Sequence, residues 1–165
     1  IIHNTIFWVN TGVDMKKINL IFNGEKRNVV VEPDEILFNV LRDKLGAKSP
    51  KCGCDRGDCG ACAVLLNGKS VRSCLIFAIE VDGQEIVTLE GLSTNGLSKL
   101  QERFLELNSF QCGFCTSGMT ISATELLEEN PNPTVEEVKE HLSGNLCRCT
   151  GYTSIIEAVM STKKE

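Results

Sequence analysis

The sequence has no long apolar run. Nowhere in its 165 residues does it approach the roughly 18 uninterrupted apolar residues that a membrane-crossing helix needs. Basic charge is also short, with 17 Lys and Arg against 22 Asp and Glu and a net charge of −5. Nucleic-acid binding needs a basic surface, so that class of partner is excluded with the membrane. The dinucleotide fingerprint G-x-G-x-x-G is missing, so neither FAD nor NAD is expected on this chain alone. Residues 1–14, IIHNTIFWVNTGVD, lack a basic n-region, and Asn4, Asn10 and Asp14 interrupt their apolar character. They read as a tail and not as a secretory signal, and a cytoplasmic protein is expected.

What the sequence does have is cysteine, nine of them, in a composition otherwise ordinary for a globular protein (42% hydrophobic, 24% charged). An odd count leaves at least one thiol over if the rest pair, and the fraction is below that of a small disulfide scaffold. In a reducing compartment thiolates more often hold metals than each other.

The length suits one domain or two small ones, and the charge is uneven. Residues 1–83 carry a net +1, residues 84–165 a net −6, and every Asp lies in the first part. The secondary-structure signals change near the same place, which divides the chain into a tail (1–14), a first module (15–90) and a second (91–165). In the first module Ile18, Leu20 and Phe22 alternate with polar residues, and Asn23-Gly24 is a strong hairpin signal leading to Val29 and Val31. Pro33-Asp34 is expected to open a helix with Asp34 as N-cap, carrying Leu37, Val40, Leu41 and Leu45 and stopped by Gly46. After a Cys- and Gly-rich loop (51–62), Ala63–Leu66, Asn67-Gly68 and Lys69–Ile79 read as a second hairpin, and Ile86–Leu89 as a last strand. A small mixed sheet packed on one helix is the expected result. The second module reads as four helices: one through Leu97–Leu107 ending near Asn108, one through Met119–Leu127 stopped by Asn130-Pro131, one capped by Thr134 with Glu137, and one through Ile155–Met160. The fold class is therefore α+β.

Cys54, Cys59 and Cys62 have the spacing C-x4-C-x2-C, with Cys74 further on, which is the plant-type 2Fe-2S pattern. Gly53, Gly57 and Gly60 let such a loop turn sharply around a cluster and bring amides to its sulfurs. Zinc and disulfides are the alternatives; structural zinc favours two C-x2-4-C knuckles, and the first spacing is too wide for one. Cys112-x2-Cys115 and Cys147-x-Cys149 form a second set that on spacing alone also suits zinc. A Rieske centre needs two histidine ligands, and His3 lies in the tail while His141 reads as a solvated helix residue.

Three segments, GCDRGDCGACAV (Gly53–Val64), QCGFCTSGM (Gln111–Met119) and GNLCRCTGY (Gly144–Tyr152), resemble in order the signatures of one family. It is the iron–sulfur small subunit of the molybdenum hydroxylases: xanthine dehydrogenase, aldehyde oxidoreductase, carbon monoxide dehydrogenase and relatives. The resemblance spans residues 16–162. It implies a β-grasp, plant-type ferredoxin-like domain followed by a four-helix domain. It implies one 2Fe-2S cluster on Cys54, Cys59, Cys62 and Cys74 and another on Cys112, Cys115, Cys147 and Cys149. It places Gln111 and Cys149 near the molybdopterin of a partner.

The resemblance further implies an oxidoreductase complex in which this chain has no substrate chemistry of its own. A large subunit would hold the molybdenum cofactor and a medium subunit FAD, in a heterotrimer that can itself dimerise. Electrons would pass from the molybdopterin site through the two clusters to FAD, with an aldehyde as the favoured substrate. A free-standing two-cluster ferredoxin is the alternative. Ser117 stands where many members have proline and is expected to change little. Cys52 is the spare thiol, and Arg148, between two ligands, is either a potential-raising cation or a surface ion-pair residue.

Overall fold

The computed structural model describes residues 14–94 and 96–162, so the tail of residues 1–14 lies outside it except for Asp14. Strands β1 (Lys16–Phe22) and β2 (Glu25–Val31) pair antiparallel. Their alternation buries Ile18, Leu20, Phe22, Val29 and Val31 on one face. The turn between them is the expected one: Asn23 at φ 51° and Gly24 at φ 83° give the left-handed pair that matches strand twist. Asn67 (φ 49°) and Gly68 (φ 82°) repeat it between β3 (Ala63–Leu66) and β4 (Lys69–Arg72). Strand β5 (Glu85–Val87) enters the middle, parallel to β1 and antiparallel to β3. The mixed sheet has the order β2-β1-β5-β3-β4, with charged β2 (Glu25, Lys26, Arg27) and β4 (Lys69, Arg72) at its edges.

Helix α1 (Leu37–Asn39) runs directly into a π-helical turn, Val40–Lys44, closed by the Leu45 N–H on the Val40 carbonyl at 3.0 Å. Leu37, Val40 and Leu41 are fully buried against the sheet, and Gly46 at φ 75° ends the segment. Asp34 is not the N-cap. Residues 32–35 close a turn of their own, with Glu35 N–H on the Glu32 carbonyl at 3.1 Å. Ile36 then stays extended because it bridges to Phe77, so the helix begins two residues later than expected. The second hairpin is also shorter than expected. Strand β4 stops at Arg72 because Ser73 turns inward, its hydroxyl on the Cys62 carbonyl at 2.7 Å, and 3-10 turns occupy Ser73–Leu75 and Ala78–Val81. Leu89 belongs to the short α2 (Leu89–Leu92) and not to the last strand.

Helices α3 (Lys99–Glu106), α4 (Thr116–Glu129), α5 (Val135–Leu142) and α6 (Thr153–Met160) follow. Thr134 and Glu137 make the expected capping box for α5, and Ser98 with Gln101 makes one for α3. Leu100, Phe104, Met119, Leu126, Val138, Leu142, Ile155 and Val159 form the core between these helices. Helix α4 is buried on almost every side. Its Ile121 packs on Ala63 and Leu65 of β3, while Met119 and Ala123 face the other helices. Among the described residues no helix is long and apolar enough to cross a membrane.

Glu90, in α2, ties three segments together. Its carboxylate accepts from Lys48 N (2.8 Å), Ser49 N (2.7 Å), Ser49 Oγ (2.5 Å) and Thr88 Oγ1 (2.6 Å). The Ser49 carbonyl in turn accepts from Ser117 Oγ of α4 at 2.7 Å. Burial pushes the Glu90 pKa up, but the hydrogen bonds from Ser49, Thr88 and the backbone outweigh it and hold the group at about 2, against an ordinary 4.5. A folded-state pKa below the unfolded one contributes stability that is complete above pH 4.5 and is lost as pH falls toward 2. Glu90→Gln should lower the unfolding free energy at pH 7 by about 1 kcal/mol, after discounting for solvent screening of an exposed carboxylate. The variant and the parent should converge as the pH is lowered, which urea unfolding at pH 7 and pH 3 measures.

Candidate metal centres

The loop between α1 and β3 curls because Asp55 (φ 58°), Gly57 (φ 88°) and Gly60 (φ 71°) are left-handed. It brings Cys54, Cys59 and Cys62 together, and the 3-10 turn after β4 delivers Cys74. The buried sulfurs of Cys62 and Cys74 lie 3.3 Å apart, and the Cys59 amide donates to Cys54 Sγ at 3.3 Å. Amides of Arg56 and Cys59 hold the Cys54 thiol down to about 7, whereas burial and then the Cys62 neighbour push Cys74 up to about 12.

The second set is built from two loops that meet. Cys112 lies before α4 and Cys115 at its N-cap, while Cys147 and Cys149 lie between α5 and α6. The exposed sulfurs of Cys112 and Cys149 are 3.7 Å apart; buried Cys115 faces Cys147. Burial, then the Cys147 neighbour, pushes Cys115 up to about 12. Burial also raises Cys147, but the hydroxyl and amide of Thr150 outweigh it and hold that thiol at about 7.

Two thiolates on one tetrahedral metal at about 2.3 Å stand about 3.7 Å apart; Cys112 and Cys149 have that separation, and Cys62 and Cys74, at 3.3 Å, are slightly closer. The sulfurs approach one another in pairs, Cys62 with Cys74 in the first set and Cys112 with Cys149 in the second. A second observation agrees: the buried Thr116 hydroxyl, next to Cys115, is without a hydrogen-bond partner in the protein. All-thiolate donors at paired spacing fit a 2Fe-2S cluster in each set.

Cys52 stands apart. Its thiol bonds the Asp55 carboxylate at 3.2 Å, and burial together with that carboxylate raises its pKa, so it stays a thiol. Gln111 and Cys149 meet at the exposed edge, the Gln111 amide on the Cys149 carbonyl at 3.1 Å. Arg148 is exposed and has no carboxylate partner among the described residues. His141 is not simply solvated: its Nε2 lies 3.4 Å from Glu125 Oε2 of α4, with the imidazole side chain 24% exposed. His3 lies outside the described residues.

Residues that sequence reasoning missed hold the two sets together. The Leu146 N–H donates to the Cys59 carbonyl at 2.9 Å, one residue from Cys147. Asn145, 2% exposed, accepts from Ser122 Oγ at 2.9 Å and donates to the Gly60 carbonyl at 3.3 Å. A Cβ on Gly118 would meet the Gly60 carbonyl oxygen at 2.2 Å, and one on Gly60 would meet the Gly144 carbonyl at 2.5 Å. Ser117, expected to change little where proline is common, is buried and makes the bond to Ser49 that proline could not. Asn145, Gly118 and Ser117 all lie in the quoted motifs, but nothing local marks them, because their partners are distant in sequence.

Comparison with known proteins agrees with this geometry. Residues 20–92 match the 2Fe-2S iron-sulfur cluster binding domain, and residues 88–160 match the [2Fe-2S] binding domain. The chain is 52% identical over 147 residues to the nicotine 6-hydroxylase small subunit of Paenarthrobacter nicotinovorans, covering 89% of each. The chain belongs to the iron–sulfur small-subunit family of the molybdenum hydroxylases. Among solved structures, quinoline 2-oxidoreductase from Pseudomonas putida 86 superposes with a TM-score of 0.86 at 45% identity, over 88% of this chain and 91% of that one. The aldehyde oxidoreductase from Desulfovibrio desulfuricans ATCC 27774 gives 0.87 at 42% identity, over 90% of this chain but 17% of that longer one.

The seam between the sets makes a prediction whose sign is diagnostic. In an unconstrained helix Gly→Ala stabilises by up to about 1 kcal/mol. At Gly118 the added methyl group meets a backbone carbonyl, so Gly118→Ala should destabilise by about 2 kcal/mol, measured by chemical denaturation.

Proposed function

We propose that this chain is the electron-transfer small subunit of a molybdenum hydroxylase. In this reading it carries electrons from the molybdopterin site of a large partner through two 2Fe-2S clusters to FAD on a medium partner. The observation that carries the reading is the direct bond between the two thiol sets, Leu146 N–H to the Cys59 carbonyl at 2.9 Å, beside Cys147. Two redox groups joined by one peptide hydrogen bond suit a relay.

In this reading Cys54, Cys59, Cys62 and Cys74 hold the first cluster, and Cys112, Cys115, Cys147 and Cys149 the second. Each cluster, when bound, accepts and gives up one electron at a time. The protein's part is to fix order, spacing and potential. Buried Cys62, Cys74 and Cys115 keep the inner side of each set dry, and exposed Cys112, Cys149 and Gln111 form the edge nearest the partner's pterin. The division at about residue 90, between a β-grasp ferredoxin-like unit and a four-helix unit, is supported by α2 and by the meeting of the two domain matches there. None of the nine cysteines is in a disulfide, which suits the reducing cytoplasm. The substrate is set on the large partner. Aldehydes, expected from the sequence resemblance, and N-heteroaromatic rings, carried by the names of two relatives, are the two classes to assay.

Metal analysis of the chain purified from its native host should give four irons and no stoichiometric zinc. Two irons with one zinc would sink the reading. Gel filtration should show it migrating with molybdenum and flavin, whereas a lone 18.1 kDa peak holding both clusters would make it a diffusible ferredoxin. Cys54→Ser and Cys149→Ser should each remove one of two reduced EPR signals, and Cys52→Ser should leave both.

A further inference from the structure

The thiols of the two sets are not treated alike. Among the described residues one side-chain hydroxyl donates to a cysteine sulfur: Thr150 Oγ1 lies 3.2 Å from Cys147 Sγ. The Thr150 amide approaches the same sulfur at 3.5 Å. The other contacts to sulfurs of the two sets come from backbone amides, such as those of Arg56 and Cys59 on Cys54 and of Phe114 on Cys112, or from a second thiol.

The direction of the Thr150 proton is fixed by its surroundings. The Tyr152 N–H donates to Thr150 Oγ1 at 3.2 Å, which occupies the acceptor side of the hydroxyl and turns its hydrogen toward Cys147. Tyr152 is held in place for this. Its phenol oxygen accepts from the Cys147 N–H at 2.8 Å and donates to the Asn145 carbonyl at 3.4 Å. Its backbone sits at φ 71°, a left-handed conformation that a bulky residue adopts only when its surroundings impose it. The turn Cys147–Tyr152 is thus a closed set of bonds: Tyr152 takes the Cys147 amide, and Thr150 gives its hydroxyl to the Cys147 sulfur.

Reduction of a thiolate-bound cluster adds negative charge to its sulfurs, and a donor on one of those sulfurs favours the reduced form. Resting on the reading that Cys112, Cys115, Cys147 and Cys149 hold a 2Fe-2S cluster, we propose that the Thr150 hydroxyl raises the reduction potential of this second cluster. Thr150 acts through Cys147 and is a positioning residue, with Tyr152 N–H orienting it. Arg148, the other candidate for that role, is exposed to solvent, where its charge is screened.

The test is a redox titration of both clusters, followed by EPR, in the intact complex carrying Thr150→Val or Thr150→Ser. T150V keeps the branched shape and loses the hydroxyl; T150S keeps the hydroxyl. In T150V the reduction equilibrium of the second cluster should fall by up to tenfold, 59 mV for one electron, while the first cluster stays unmoved. T150S should titrate close to the parent. The proposal is overturned if T150V titrates with the parent, or if T150S shifts as far as T150V, which would make the effect one of shape. Should T150V fail to load the cluster, Thr150→Ala is judged by the same criteria. A parent complex without a second 2Fe-2S signal would instead overturn the cluster assignment itself, a result visible before any variant is compared.

Discussion

Two stretches of backbone pass so closely at the centre of this molecule that no side chain fits between them. The Gly60 carbonyl occupies the space that a Gly118 Cβ would need, and Gly60 is itself left-handed and pressed against Gly144. The first thiol loop, the start of α4 and the approach to the second thiol pair meet at this seam. Because only backbone is involved, the contact is short and rigid, and Asn145 locks it with a buried amide. The sheet, the helices and the spacing of both thiol sets inherit their relative position from it.

The same arrangement explains why α4 is unlike its neighbours. An outer helix needs one apolar stripe, but α4 lies between β3 and the other helices. It presents Ile121 to one core, Met119 and Ala123 to the other, and small polar residues to the seam. Ser117 and Ser122 satisfy polar groups there that a wider apolar helix would strand without partners. Within each thiol set the same economy recurs: one pair is shut in, and the other is left near the surface.

Much of this was legible in the sequence where the cause is local. The two Asn-Gly turns, the Thr134–Glu137 capping box and the Gly46 stop depend on a few adjacent residues, and the structure has them. The cysteine spacings were equally direct, since ligand loops are short. What the sequence hid is long-range. Asp34 looked like a cap, but the bridge between Ile36 and Phe77 delays the helix. Strand β4 ends early because Ser73 bonds the Cys62 carbonyl. His141 looked solvated until Glu125, sixteen residues earlier on another helix, was placed beside it. Asn145 and Gly118 carry no local signal of any kind, since their role exists only once two distant loops touch.

The edges of the sheet carry one more consequence. Strands β2 and β4 each leave a row of peptide groups free to pair, and both bear charged side chains: Glu25, Lys26 and Arg27 on one, Lys69 and Arg72 on the other. Bringing a second copy alongside would strip these charged side chains of water. A chain with open sheet edges thereby makes those edges poor templates for stacking into ribbons with itself.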